Sequence, residues 1–356
     1  MPSISSPPVH KTTCCYCGVG CGILVKQTSG GAVTVEGDPD HPVSHGMLCS
    51  KGQNLHTTVM DYSDRLLFPE LRDDRSQPRR RAGWDEAIGK VASRFQDIIR
   101  QHGPDAVGLY VSGQCLTEEY YLANKIAKGF LGTNNIDTNS RLCMSSAVVG
   151  YKLALGEDCV PGSYEDLDMA DLFLVAGANP AYCHPILFRR VEARLQAAGK
   201  PARMIVTDPR RTQTAAMADL HIPLQPGTDI TLFHAIVRRL LETDAIDRGF
   251  INEHTEGFDE LKDRVFTRSV REAAAICRID TVMIETAARW IAESRGFVSL
   301  WAMGLNQSMV GVNKNLALIN LHLVTGKIGK PGHGPLSLTG QPNAMGGREV
   351  AVWRTC

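Results

Sequence analysis

Residues 171–210 read "DLFLVAGANPAYCHPILFRRVEARLQAAGKPARMIVTDPR". An apolar run, "DLFLVAGAN", ends in turn residues. A helical segment, "HPILFRRVEARLQAAG", follows, and "ARMIVTDPR" is a second short apolar run. Two such runs joined by a helix predict a parallel βαβ unit, whose strands are buried on both faces. The alternation continues downstream in "DLHIPLQPGTDITLFHAIVRRLLET", "FVSLWAMGLNQ" and "NKNLALINLHLVTGKIG". Upstream, "GWDEAIGKVASRFQDIIRQHG" predicts a helix with Ala87, Ile88, Val91, Phe95, Ile98 and Ile99 on one face. Asp85 and Glu86 sit in its first turn and Gly103 ends it. "DAVGLYVSG" then predicts a buried strand and "TEEYYLANKIAKGFLG" a helix. The fold class expected is α/β, with mostly parallel sheets.

In open α/β sheets, ligands bind beyond the carboxyl ends of the strands. Here those ends read "SGQ", "AGANPAYCHP", "TDPRR", "QPGTD" and "MGLNQ". They are rich in groups that hydrogen-bond a nucleotide. Neither GxGxxG nor GxxxxGK[ST] occurs, so neither a standard dinucleotide fingerprint nor a P-loop is expected.

The first 65 residues have another character. "GILVKQ" and "GAVTVEGDPDHP" predict short strands with turns. Before them, "TTCCYCGVGCG" spans residues 12–22 and holds Cys14, Cys15, Cys17 and Cys21; Cys49 follows in "MLCSKGQ". Cys14, Cys17 and Cys21 are spaced C-x2-C-x3-C, with 27 residues between Cys21 and Cys49. Three close thiolates and one distant one suit an iron–sulfur cluster. Structural zinc, which more often uses two separated CxxC pairs, is the second reading. Neighbouring side chains in extended backbone point opposite ways, so Cys14 and Cys15 do not both serve. The spacing to Cys17 favours Cys14.

The bulk numbers exclude some classes. At 356 residues the chain is long enough for two or three domains. Lys+Arg and Asp+Glu are 38 each, which argues against a general polyanion binder. The densest basic run, Arg79–Arg81, reads as a solvated loop. No apolar run approaches the roughly 18 residues of a membrane-spanning helix. The opening residues show neither an apolar export region nor a twin arginine, so a cytoplasmic protein with reduced thiols is expected. Most of Cys115, Cys143, Cys159, Cys183, Cys277 and Cys356 should then be core thiols.

"CYCGVGCGI…MLCSKG" resembles the cluster domain of the prokaryotic molybdopterin oxidoreductases, the family of nitrate reductases and formate dehydrogenases. The likeness runs from about residue 12 to 350, and its most diagnostic piece is "NIDTNSRLCMSSAVVGYK". "WAMGLNQSMVGVNKNLALINLHLVTGKIGKPG" and "SLTGQPNAMGGREV" are similar to assimilatory nitrate reductases in particular. Formate dehydrogenases of the family usually place His after the metal-ligating Cys or selenocysteine. Met144 follows Cys143 here, which favours nitrate.

The resemblance implies a residue-level plan. Cys14, Cys17, Cys21 and Cys49 would hold a [4Fe-4S] cluster, and Lys51 would lie between cluster and pterin. Cys143 would be the thiolate ligand of molybdenum in a bis(molybdopterin guanine dinucleotide) centre. Gln114, Asn139, Gly177, Asn179, Asp208, Arg210 and Asp229 match cofactor contacts, and Met303 and Gln307 match residues beside the metal. The implied domains are a disordered 1–11, a [4Fe-4S] domain over 12–65, an incomplete αβα domain over 66–138 plus 336–356, and a Rossmann-like dinucleotide domain over 139–335. The implied activity is two-electron reduction of nitrate to nitrite in the cytoplasm, fed by ferredoxin, flavodoxin or an NADH-dependent partner, in a truncated chain. The rivals are a formate dehydrogenase of the same family and an inactive iron–sulfur fragment.

Overall fold

The computed structural model describes residues 9–28, 30–199 and 201–350. The chain divides into two compact units. One contains residues 1–16, 20–141 and 341–356; the other contains 17–19 and 142–340.

The first unit opens with an antiparallel sheet of β1 (Val9–Thr13), β2 (Gly22–Gln27) and β3 (Val33–Gly37), in that order. Val9 pairs with Lys26 and Thr13 with Gly22. Residues 9–11 are therefore strand, which corrects the expected disorder there: β2 satisfies their backbone groups. Residues 1–8 lie outside the described residues.

Two small pairs follow. β4 (Glu70–Leu71) and β5 (Arg80–Arg81) are antiparallel. Two of the three residues of the basic run are thus strand rather than loop, with Arg80 ion-paired to Glu86 and the Arg81 guanidinium over the Phe68 ring. β6 (Leu109–Val111) and β7 (Ile136–Thr138) are parallel. Between them runs helix Thr117–Asn124, continued by a π-helical stretch Lys125–Leu131. The core of this region joins Tyr120, Ala127 and Ile136, with Leu109, Val111 and Val350 packed against it.

Two expectations fail here. β6 is not a buried strand: Tyr110 is 67% exposed. Helix Trp84–His102 forms between the expected ends, with Gly103 at φ +81° closing it, but none of its residues is buried. Ile88 and Val91, on its apolar face, are exposed and line a groove with Leu66, Leu67, Phe68 and Trp84. The helix forms where its period predicts, but the core of this unit forms around Tyr120 instead.

The second unit is built on five parallel strands: β8 (Leu172–Ala176), β9 (Arg203–Thr207), β10 (Leu220–Ile222), β11 (Phe297–Trp301) and β12 (Gly334–Ser337). Their order is β10-β9-β8-β11-β12. Every residue of β8 and β11 is buried, as near-continuous apolar strands between helical layers should be. Helix Asp229–Glu242 packs on Gly311–Val324 and equally on Thr281–Glu293. The strand order reverses between β8 and β11, so their carboxyl ends diverge into the crevice where such sheets bind ligands. β12 pairs with β11 through Val298↔Gly334 to Trp301↔Ser337. The expected boundary at 335/336 therefore cuts a paired strand; this unit extends to residue 340.

Candidate functional site

Cys14 closes the base of the β1–β2 hairpin, where its N–H donates to the Cys21 carbonyl at 2.8 Å. Both thiols are buried. The 38–49 loop is docked on the same end. A Cβ on Gly22 would meet the His41 ring at 2.3 Å, and one on Gly37 would meet the Gly46 carbonyl at 1.9 Å. The Gly22 N–H also donates to Ser44 Oγ. Only glycine permits these approaches. The docked loop delivers Cys49 as N-cap of helix Ser50–Gln53. A Cβ on buried Gly52 would lie 3.9 Å from Cys14 Sγ. The hairpin base and the first turn after Cys49 are thus packed together, as a shared cluster requires. Cys17 is half-buried in the 17–19 segment, which groups with the second unit. Cys15 is exposed, and its carbonyl accepts from Gln114 Nε2 at 3.2 Å. Lys51 is exposed on the short helix. Among the described residues, no three His, Cys, Asp or Glu side chains form a site for a single metal ion. A cluster of several irons spreads its thiolates around a larger body.

In the first unit, Asn139 uses one side-chain atom to brace the scaffold. Its side-chain carbonyl accepts from the Gly113 N–H at 2.7 Å, joining the end of β6 to that of β7. Gln114 is exposed beside it. Gly113 is tight: a Cβ would lie 2.5 Å from Ser140 Oγ and 2.9 Å from Gln341 Cβ.

In the second unit, Cys143 lies at a break in helix Ser140–Leu155, where Met144 adopts φ −142° and ψ 18°. Its Sγ is 3.6 Å from Met303 Sδ. Met303 begins the short helix after β11. Burial pushes the Cys143 thiol above the ordinary thiol range; the Gly340 N–H, which donates to it, pulls the other way. A bound metal reverses that balance, because a coordinating thiol is deprotonated. Gln307 is exposed, and its Nε2 donates to the Leu142 carbonyl at 3.3 Å. Cys143, Met303 and Gln307 are therefore brought together, although 160 residues separate the two sulfurs.

At the carboxyl ends of β8, β9, β10 and β11 is a cleft of about 410 Å³. Gly177, Asn179, Asp208, Arg210 and Asp229 all line it. Asn179 accepts from Thr214 Oγ1 at 2.8 Å, and the Asp208 carboxylate accepts from the Arg210 N–H at 2.8 Å. Both loops are thereby held open in fixed shapes. Gly177 (φ +55°) accepts at its carbonyl from the Gly304 N–H, and a Cβ on it would lie 2.8 Å from Gly304 Cα. This contact pins the β8 loop to the β11 loop across the strand-order reversal.

The cleft fits a nucleotide-bearing cofactor. Thr207 Oγ1 lines it, buried and without a hydrogen-bond partner among the described residues. Such orphaned groups call for a ligand or water. Sequence reasoning missed Thr207 and also Lys314, whose ammonium lies at the cleft wall and pairs with Asp229 at 2.7 Å. The available signal for Lys314 was a set of polar residues, with Lys314, Asn315 and His322 buried among them, in a helix rich in Leu, Ile, Val and Ala. Of the cysteines expected in the core, Cys143 and Cys277 are buried, whereas Cys159 and Cys183 are exposed and Cys115 is half-buried. Cys356 lies outside the described residues.

The molybdopterin oxidoreductase family model matches residues 65–352, and its Fe4S4 domain model matches residues 7–61. A nitrate reductase of Synechocystis sp. is 45% identical over 98% of this chain and 50% of its own length. A periplasmic nitrate reductase of Desulfovibrio desulfuricans is 44% identical over 95% of this chain and 45% of its own. The chain thus spans about half the length of these curated relatives. Acetylene hydratase from Pelobacter acetylenicus superposes with a TM-score of 0.78 over 89% of this chain and 43% of its own. At 24% identity it shows the fold alone. No helix among the described residues is long and apolar enough to cross a membrane. From its cysteine-bearing hairpin domain through its parallel sheet, the chain belongs to the molybdopterin oxidoreductases, a family that carries a molybdopterin cofactor and a [4Fe-4S] cluster.

Proposed function

We propose that this chain is the catalytic part of a molybdenum-dependent nitrate reductase, which reduces nitrate to nitrite with two electrons. The observation that carries the proposal is the Cys143–Met303 sulfur pair. It supports the reading because a buried soft sulfur lies beside a loop of the parallel sheet, and soft ligands suit a redox-active metal. In this reading Cys143 ligates molybdenum, and Met303 and Gln307 shape the space beside it. Cys14, Cys17, Cys21 and Cys49 hold the cluster, within a domain over residues 12–65. Gly177, Asn179, Asp208, Arg210 and Asp229 bind one guanine dinucleotide of the cofactor pair in the 410 Å³ cleft, and Gln114 and Asn139 are further cofactor contacts.

When bound, the molybdenum centre supplies the oxygen-atom chemistry and the cluster passes electrons singly. The protein's part is positional. Burial of Cys143 keeps bulk water from the thiolate, and the Met144 kink fixes its direction. Met303 is held by the helix after β11, with Gly304 locked against Gly177. Lys51, two residues after Cys49, supplies a cation between cluster and pterin. The nitrate assignment rests on relatives named nitrate reductases and on Met144 following Cys143.

We further assign an assimilatory, cytoplasmic role with ferredoxin, flavodoxin or an NADH-dependent reductase as donor. It rests on the likeness of the 301–350 segment to assimilatory enzymes; a relative named periplasmic gives the competing compartment. Cofactor-loaded protein should form nitrite from nitrate with a reduced dye as donor, and should not oxidise formate. Formate turnover without nitrite production would overturn the substrate assignment. Fractionation of cells producing the protein tests the compartment, and recovery with the periplasmic fraction would refute the cytoplasmic assignment.

A further inference from the structure

Lys314 is 4% exposed, in the interior of helix Gly311–Val324. Few ammonium groups are buried this deeply without a job that holds them there. Its Nζ donates to Asp229 Oδ2 at 2.7 Å and to the Gly304 carbonyl at 3.4 Å. Asp229 is the first residue of helix Asp229–Glu242, at the end of the "QPGTD" turn after β10. Gly304 follows Met303 and is bonded through its N–H to the Gly177 carbonyl. One side chain thus ties together three cleft-forming loops, those after β8, β10 and β11. All the residues involved line the same cleft, save Met303.

We propose that Lys314 is a positioning residue for purine recognition in this cleft. It fixes the direction of the Asp229 carboxylate and, through Gly304, the loop that carries Met303. The proposal rests on the nucleotide reading of the cleft. A carboxylate held at a cleft wall accepts from two adjacent N–H donors. The Watson–Crick edge of guanine presents such a pair, and that of adenine does not. A Lys314 role confined to stability would affect all nucleotides equally. A positioning role affects the one whose edge Asp229 reads.

The test uses the full chain with GDP and ADP as probes, followed by calorimetry, and Lys314→Met, Lys314→Arg and Asp229→Asn as variants. The wild type should bind GDP more tightly than ADP. Lys314→Met should weaken GDP by at least about tenfold, the scale for truncating one partner of a buried charge pair, and leave ADP nearly unchanged. Lys314→Arg should recover part of the preference. If Lys314→Met fails to fold, the pair variant Lys314→Met/Asp229→Asn leaves no unpaired charge. It should show the same GDP loss as Asp229→Asn alone, because the two residues act as one unit. An unchanged GDP-to-ADP ratio in Lys314→Met, or fully additive losses in the pair variant, would overturn the role of Lys314 while leaving the cleft assignment standing. A wild type that binds neither nucleotide would overturn the cleft assignment and this proposal with it.

Discussion

Cys143 and Cys15 show how much a single residue's surroundings decide. Cys143 is buried, aimed by a helix break and 3.6 Å from a thioether. Cys143→Ala should abolish nitrate reduction and leave the cluster's visible absorbance intact; full turnover in this variant would mean that another group ligates the metal. Cys15 is exposed, and its carbonyl accepts from Gln114, so Cys15→Ser should keep the cluster's iron. The same change at Cys14, in the packed hairpin base, should lose it. Equal iron in both variants would contradict the choice of Cys14. His322 offers a test of stability. Its ring is buried, stacked on Phe297 and bonded to Ser299 Oγ and the Lys327 carbonyl. Burial lowers its pKa from 6.5 to about 3. The unfolded chain therefore binds an extra proton between these values, and stability falls as pH drops from 6.5 toward 3. The slope approaches about 1.4 kcal/mol per pH unit. Thermal melts should show this slope, and His322→Gln should flatten it. An unaltered slope in the variant would assign the acid sensitivity elsewhere.

Among the elements, the parallel strands were the most legible. β8, β9 and β11 are continuous apolar runs because both faces are covered, and their flanking turns are explicit in the sequence. Less was legible for helix Trp84–His102. Its amphipathic period fixed its existence and ends but not what its apolar face meets, because burial depends on residues far away in the chain. The exposed stripe makes a prediction by contrast. Ile88→Glu should change stability by no more than about 0.5 kcal/mol, as expected of a surface substitution. Leu318→Ala, fully buried in helix Gly311–Val324, should cost about 2–5 kcal/mol. Denaturant unfolding of both variants checks this, and a large loss at Ile88 would mean that its face is covered in solution. Strand β12 was also hard to place from sequence. "HGPLSLTG" is short and begins with Gly334 at φ +136°, and only its pairing with β11 reveals it.

At the scale of the molecule, residues widely separated in sequence share sites because strands of one sheet end at one edge. Gly177, Asp208, Asp229 and Gly304 meet this way, and all but Gly304 were foreseen from turn composition and family likeness. Lys314 and Thr207 were not, since neither belongs to a turn. The cysteine spacing was legible in the sequence, but the packing of Cys14, Cys21 and Cys49 depends on Gly22, Gly37 and Gly52, whose role emerges only in three dimensions. The central claim is that one chain carries both a cluster and a thiolate-ligated molybdenum centre. Metal analysis of the protein, assembled with its cofactors, tests it most directly. The wild type should hold about four iron atoms and about one molybdenum per chain, and Cys143→Ala should retain the iron. Iron without molybdenum in the wild type would contradict the account and leave a cluster-binding module in its place.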